Sequence, residues 1–257
     1  MRSLLTFLLP CSLGLFAQEA IPPGTVLPVQ LKSTLDSLKS KPGQTITARI
    51  MQDVPLSVPQ QGQGKHLLGN PPGPRIPAGA KVIGHIIDVV PSRGSMGPSI
   101  TLRFDTVNSH GHTIPVTTNL RALASMMDVE DAQVPPVGTD RGSPWAWMNT
   151  IQIGGETVYG QGGVVTRGSE VVGEWAPGGV LVRLTAPPET SCRGAVDGND
   201  RPQALWVFSS DVCGLYGFHD LEIKHAGRTA PLGQITLVSR SGRLHVSGGS
   251  GLLLRVQ

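Results

Sequence analysis

Hydrophobic and polar residues alternate with a period of two in several short stretches of the chain. In residues 45–50, Ile46, Ala48 and Ile50 lie on one face of an extended chain, and the intervening side chains lie on the other. Such alternation is typical of half-buried antiparallel strands. The same pattern recurs in residues 99–105, 112–116, 180–184 and 243–246, and residues 252–256 are predicted to form the terminal strand.

Turn-forming residues separate these stretches. They are Pro42-Gly43, Pro77-Ala78-Gly79, Gly154-Gly155, Pro177-Gly178-Gly179 and Ser241-Gly242. Many short strands joined by Gly/Pro turns favour an all-β fold, a small antiparallel barrel or sandwich, with a second β-rich module after it. Gly84 lies inside a strand pattern and predicts a bulge or a bend.

Helical spacing is found in two places only. Leu31, Leu35 and Leu38 are spaced at i, i+4 and i+7, and a similar spacing covers residues 120–127. The first stretch is short, and the second has acidic residues near its end, which opposes the helix dipole. We therefore expect one short helix at most.

The composition narrows the class of protein. The 257 residues include 33 Gly and 22 Pro, 15% are charged and 39% are hydrophobic. Such a chain has enough apolar surface for a packed core and too few charges for a disordered protein. A net charge of +3 and an aromatic content of 4% argue against nucleic-acid binding.

The first residues have the pattern of a secretory leader. Met1-Arg2 is a short positive segment, and residues 4–16 form an uncharged, mostly apolar run that is too short for a stable membrane anchor. Residues 1–17 are thus predicted to be a signal peptide, cleaved after Ala17. We expect an exported protein, periplasmic or extracellular, with outer-membrane association as a further alternative. No transmembrane helix is predicted in the mature chain.

Leader cleavage removes Cys11 and leaves two cysteines, Cys192 and Cys213. In an oxidising compartment an even pair is most simply a disulfide. Closing a loop of about 20 residues stabilises a fold by roughly 3 kcal/mol in the chain-entropy model. The alternative, two metal-binding thiolates, lacks the C-x-x-C spacing of such sites.

Composition shifts suggest how the mature chain is organised. Residues 18–127 carry the first set of strand patterns, and residues 148–257 carry the second set together with both cysteines. Residues 128–147 between them are irregular and proline-containing. These shifts predict a β-barrel module, a linker and a second β-rich module closed by the disulfide.

The order of motifs in residues 24–117 is similar to that of a known family. It consists of Gly24-Thr25-Val26-Leu27-Pro28-Val29-Gln30-Leu31, Pro42-Gly43-Gln44, Ile76-Pro77-Ala78-Gly79-Ala80-Lys81-Val82-Ile83-Gly84 and the strand pair 99–105 and 112–116. It resembles the C-terminal β-barrel domain of TrbI-like conjugal transfer proteins of the type IV secretion outer-membrane core. The resemblance implies a barrel fold and a role in a channel assembly, although here a leader directly precedes the barrel motifs.

Histidines are the natural candidates for a metal or catalytic site. His110 and His112 are two residues apart, but residues 109–111 also have the pattern of a hairpin tip. His219 and His225 form a second candidate pair, without an evident third ligand. His85 is expected to be a hydrogen-bonded residue of the barrel wall. No catalytic residue, metal site or cofactor is predicted.

Trp145 and Trp147 are weak candidates for a binding site. Two residues apart after a proline, they lie on one face of an extended chain and suit a sugar or peptide platform. Covering the open end of a barrel is the other interpretation of the pair.

Together these features favour an exported, non-enzymatic structural or binding component of the cell envelope. Its partner would be an envelope protein or a second copy of the chain. A secreted hydrolase or metal-dependent enzyme using the histidine pairs is one alternative. A carbohydrate-binding module using Trp145 and Trp147 is another.

Overall fold

The computed structural model describes residues 20–56, 74–94, 96–133, 149–153, 155–159, 164–167, 170–176, 179–182, 205–208 and 212–257. Most of these residues lie in strands, which confirms the predicted all-β class. None of the described helical structure is long and apolar enough to span a bilayer.

The strands of residues 26–124 are β1 Val26–Leu31, β2 Leu35–Asp36, β3 Thr45–Ile50, β4 Val54–Pro55, β5 Arg75–Ile76, β6 Lys81–Val90, β7 Ser99–Ser109, β8 His112–Pro115 and β9 Thr118–Ala124. A helix, α1, follows at Met126–Gln133. The remaining strands are β10 Asn149–Gln152, β11 Gly155–Tyr159, β12 Val164–Arg167, β13 Glu170–Ala176, β14 Gly179–Val182, β15 Gly214–Tyr216, β16 Leu221–His225, β17 Ile235–Ser239, β18 His245–Val246 and β19 Gly251–Val256.

Ten strands form one large sheet that curls into a nearly closed barrel. Its order is β15-β9-β19-β1-β3-β6-β7-β17-β16, and β8 pairs with residues 106–109 of β7, beyond the residues of β7 that pair with β17. The two end strands, β15 and β16, are joined by residues 217–220, so the ends of the sheet meet. The Leu120 N–H also donates to the Ala226 carbonyl oxygen at 2.8 Å, which ties β9 to the residue after β16.

The barrel has two rims. We call the end formed by residues 32–44, 91–94, 96–98, 217–220 and 240–250 the upper rim. The lower rim is formed by residues 20–25, 77–80, 110–111, 226–234 and 257. This division follows from the strand register, because Gln30 pairs with Gly251 at the upper end of β1 and Val26 pairs with Arg255 at the lower end.

The interior is filled by the side chains that alternate inward. Ile46 and Ile50 on β3, and Ile100 and Phe104 on β7, are 0–1% exposed, as the period-two pattern predicted. Burial of a Leu, Ile or Phe side chain contributes about 1.5–3 kcal/mol. The barrel therefore encloses a packed hydrophobic core.

A second hydrophobic cluster covers the outside of the barrel at β9 and β19. Ala122 and Leu253 point away from the barrel core and pack in a cluster with Val129, Phe208 and Val212. All seven residues of β9 are buried, since one face contacts the barrel core and the other contacts this cover. Because both faces are buried, β9 shows no clear alternation of hydrophobic and polar residues.

Gly84 lies at a β-bulge, as predicted. The register of β6 against β7 shifts between Ile83 and Gly84. A Cβ atom at Gly84 would lie 2.0 Å from the Arg103 carbonyl oxygen, so only glycine permits this approach of the two strands.

The helix is not where the leucine spacing placed it. Leu31 and Leu35 lie in strands, and residues 118–124 form β9, because tertiary pairing overrides the local spacing. The helix begins after Ser125, whose hydroxyl accepts the Asp128 N–H at 3.1 Å and donates to the Asp128 carboxylate at 2.7 Å. Asp128 is therefore in the first turn, where a negative charge favours the helix dipole.

The large sheet takes strands from both sides of the predicted linker at 128–147. Strands β15, β16, β17 and β19 come from the segment assigned to a second module, yet they pair with strands of residues 26–124. Only β10–β14, within residues 149–182, form a separate five-stranded sheet. The linker segment also begins with helical residues, since α1 extends to Gln133.

Candidate functional site

The predicted hairpin tip is present at the lower rim. Ser109 pairs with His112, and His110 and Gly111 form a two-residue turn with φ of 49° and 80°. Positive φ at both positions is the requirement of a type I′ turn. Both His110 and His112 are exposed. His110 lies in the turn, and His112 is the first residue of the edge strand β8.

The second histidine pair is not brought together as a ligand set. His219 is exposed in the segment between β15 and β16. His225 donates from Nδ1 to the Gln234 carbonyl oxygen at 2.6 Å, and its Nε2 lies 3.2 Å from the Thr229 hydroxyl. Within the described residues no group of three or more His, Cys, Asp or Glu side chains is placed to hold a metal ion.

The remaining predicted residues are only partly within the described chain. Trp145, Trp147 and Cys192 lie outside the described residues, so the platform and the Cys192–Cys213 pairing stay predictions. Cys213 is 1% exposed and is disulfide-bonded.

His85 is hydrogen-bonded in the barrel wall, as expected. Its Nδ1 lies 2.7 Å from one carboxylate oxygen of Asp105, and Arg103 contacts the other. The carboxylate therefore links neighbouring strands β6 and β7 on the outside of the barrel.

A charged cluster that the sequence did not point to lies at the upper rim. Asp36, with its side chain 4% exposed, accepts hydrogen bonds from the Arg243 guanidinium at 2.5 and 3.3 Å. It also accepts the Leu38 N–H at 3.0 Å, and His245 Nδ1 lies 3.7 Å away. We call Asp36, Arg243 and His245 the Asp36 cluster.

The Asp36 cluster has the electrostatics of a structural ion pair. The Arg243 hydrogen bond, opposed by burial and supported by the Leu38 N–H, lowers the pKa of Asp36 from 3.8 to about 2. A carboxyl group that stays ionised at neutral pH cannot act there as a general acid. The cluster joins β2 to β18, which pair through Asp36 and His245.

The lower rim carries an open cleft of about 410 Å³, which we call the rim cleft. It is lined by Pro23, Gly24, Asn119, Arg228, Arg255, Val256 and Gln257. The strand register explains how these distant residues meet, because Arg255 of β19 pairs with Val26 on one side and Asn119 on the other. Arg228 reaches the same place from the loop between β16 and β17.

The rim cleft combines positive charge with unpaired hydrogen-bond acceptors. Among the described residues that line it, Arg228 and Arg255 are charged and none is acidic. Asn119 is 4% exposed, and its Oδ1 accepts no hydrogen bond from the described residues. Gln257 Oε1 is likewise buried and unpaired, while its Nε2 donates to the Gly227 carbonyl oxygen at 2.7 Å.

Comparisons of the chain with protein-family models, curated proteins and solved structures gave no match. The rim cleft carried no local sequence signal, because its residues come from four separate segments. The alternating pattern places Arg243 and His245 on one strand face, but nothing in the sequence places Asp36 beside them.

Proposed function

We propose that this protein is an exported, non-enzymatic β-barrel that acts as a structural or binding component of the cell envelope. The observation that carries the proposal is the filled barrel, whose interior side chains, such as Leu27, Ile86 and Phe104, are 0–1% exposed. A packed interior holds the sheet rigid, so binding takes place on the outer surface and at the rims.

The partner contacts the rims rather than adding a strand to the sheet. Among the described strands, β8 pairs only with β7, so none of them covers its other edge. Because Val116 donates to Asp105 and the register alternates, the backbone groups of Thr113 and Pro115 point to this edge. Pro115 has no N–H to donate at this edge, which disfavours the pairing of an added strand.

The leader and the cysteines support export. Residues 1–17 have the charge and hydrophobicity pattern of a signal peptide, and a disulfide persists in an oxidising compartment. We assign the Cys213 disulfide to Cys192, since Cys11 belongs to the leader. The bond ties a segment outside the described residues to the start of β15.

The motif order of residues 24–117 supports kinship with the barrel domain of TrbI-like proteins, and hence assembly within a secretion or conjugation channel. Fold similarity alone does not carry function. The channel role is the more specific form of the proposal, and identification of the partner decides it.

Chemical crosslinking in the native envelope tests the proposal. Residues such as Lys39 and Lys224 are exposed and react with amine-specific reagents. We expect a mature chain beginning at Gln18, and a crosslinked species larger than one chain in the envelope fraction. A variant lacking residues 1–17 is the control and should stay in the cytosol without that species.

A chain that keeps Met1, or one that stays monomeric and uncrosslinked in the envelope, would overturn the proposal. The identity of the crosslinked protein then separates a channel component from a homo-oligomer.

A further inference from the structure

Large hydrophobic side chains are exposed on two loops of the upper rim. Leu38, in the loop between β2 and β3, is 71% exposed, and Met96, in the hairpin between β6 and β7, is 66% exposed. Only two other large hydrophobic side chains of the described residues, Met127 and Leu232, are exposed to a similar degree. Apolar side chains that are exposed together mark an interaction site more often than single ones do.

The strand pairing makes the two loops neighbours. β3 pairs with β6, and the Gly43 N–H donates to the Ile86 carbonyl oxygen at 2.8 Å where the first loop enters β3. The hairpin begins after Val90, at the upper end of the same strand β6. Both loops therefore project from the same part of the upper rim.

Hydrogen bonds hold both loops in place. The Leu38 N–H donates to the Asp36 carboxylate at 3.0 Å, and the Ser40 N–H donates to the Asp36 carbonyl oxygen at 2.7 Å. In the hairpin, Arg93 and Met96 each donate an N–H to the other's carbonyl oxygen at 2.9 Å, so their side chains lie on the same face. The two apolar side chains are thus held out by hydrogen-bonded turns, and they are exposed without a conformational change.

The same loops carry positive charge. Residues 37–44 contain Lys39 and Lys41, residues 91–98 contain Arg93, and neither segment contains an acidic residue. All three cations are exposed, and none forms an ion pair with a described residue. We give the name tip surface to Leu38, Lys39, Lys41, Arg93 and Met96.

Two carboxylates flank the tip surface in the sequence. Asp36 is buried and is neutralised by Arg243. Asp88 is exposed on β6, and its carboxylate accepts the Val89 N–H at 2.9 Å. One exposed carboxylate does not balance three cations, so this part of the rim keeps a net positive charge.

The tip surface fits a lipid bilayer better than a protein. Apolar residues that enter the boundary between headgroups and acyl chains, with cations beside them, are features of proteins that bind anionic membranes. Lysine suits this position because its stem packs against apolar groups while its ammonium group stays among the headgroups. Protein interfaces are instead depleted of lysine, whereas Lys39 directly follows Leu38.

We propose that the tip surface docks on a bilayer that contains anionic phospholipids. Leu38 and Met96 insert between the headgroups, and Lys39, Lys41 and Arg93 contact the lipid phosphates. The barrel then stands on the membrane by its upper rim. This attachment goes beyond the proposed assembly with a protein partner, so either proposal can fail without the other.

Cosedimentation of the mature chain with vesicles tests the inference. One probe is vesicles of phosphatidylcholine alone, and the other is vesicles of an equal mixture of phosphatidylcholine and phosphatidylglycerol. We expect at least about tenfold tighter binding to the anionic vesicles at low salt, because each cation near an anionic surface strengthens binding about fivefold. Raising the salt concentration should remove most of this difference.

Two matched pairs of variants locate the surface. Leu38→Ser should weaken binding to the anionic vesicles at least about fivefold, since it removes apolar area that the bilayer buries. Leu232→Ser removes the same type of side chain, 59% exposed, from the lower rim and should leave binding unchanged. Lys39→Gln should weaken binding about fivefold, whereas Lys224→Gln, at an exposed position of β16, should leave it nearly unchanged. Thermal unfolding shows whether each variant folds like the wild type.

Three results of the vesicle assay would overturn the inference. They are no binding to the anionic vesicles at millimolar lipid, equal binding to both kinds of vesicle, and equal weakening by Leu38→Ser and Leu232→Ser. A Leu38→Ser variant that binds vesicles like the wild type but loses its crosslinked species in the envelope would also overturn it. That result would assign the tip surface to the protein partner.

Discussion

The Asp36→Asn variant should lose stability at neutral pH but not in strong acid. Asp36 accepts two hydrogen bonds from Arg243, and its pKa is lowered to about 2. Asparagine has nearly the same shape, and its Oδ1 can still accept the Leu38 N–H. The substitution therefore removes the charge while it leaves the turn geometry in place.

The size of the expected loss in unfolding free energy follows from the lowered pKa of Asp36. A change of one pKa unit corresponds to about 1.4 kcal/mol of free energy, so a fall from 3.8 to about 2 gives about 2 kcal/mol. Arg243 is 49% exposed, and solvent screening reduces this to about 1–2 kcal/mol. Because the folded-state pKa is depressed, this stabilisation is complete above about pH 5 and is lost as the pH falls toward 2.

Urea unfolding at a series of pH values measures the effect. The quantity of interest is the difference in unfolding free energy between wild type and Asp36→Asn at each pH, since other carboxylates titrate in both proteins. Asp88→Asn is the control, because Asp88 is exposed and forms no ion pair within the described residues. A difference that stays constant from pH 7 to pH 2.5 would refute the electrostatic origin of the stabilisation.

Two further predictions concern the backbone and the cysteines. Gly84→Ala should destabilise the fold by about 2–4 kcal/mol in denaturant unfolding, since the added Cβ would clash with the Arg103 carbonyl oxygen. Gly43→Ala meets no atom within 4 Å but occupies φ of 80°, so it should cost only about 1 kcal/mol, and equal costs would contradict the steric argument. Thiol titration of the exported protein after unfolding should find no free thiol, whereas two reactive thiols would contradict the Cys192–Cys213 assignment.

Local alternation predicted the strands whose two faces differ in environment. Ile46 and Ile100 face the core, while Thr45 and Arg103 face solvent, so the period of two is visible in the sequence. β9 was missed because both of its faces are buried. Its leucines then gave a helical spacing by chance.

The rim cleft and the Asp36 cluster required the register of distant strands. Asn119 meets Arg255 only because β19 pairs with β9, and Asp36 meets Arg243 only because β2 pairs with β18. Nothing within a short window of sequence specifies which strands pair. Because strand pairing could not be predicted, the two predicted modules, 18–127 and 148–257, each contain strands of one sheet that is continuous in the structure.

The position of β19 makes the barrel dependent on strands that are far apart in the chain. β19 lies between β1 and β9, with Leu252 and Leu254 in the barrel core and Leu253 in the outer cluster. Neither cluster is complete, and the sheet cannot close, until β19 has been synthesised and placed. Folds dominated by such non-local pairing form slowly. Slow closure of the sheet is compatible with the proposed export, because an exported chain crosses the membrane before it folds.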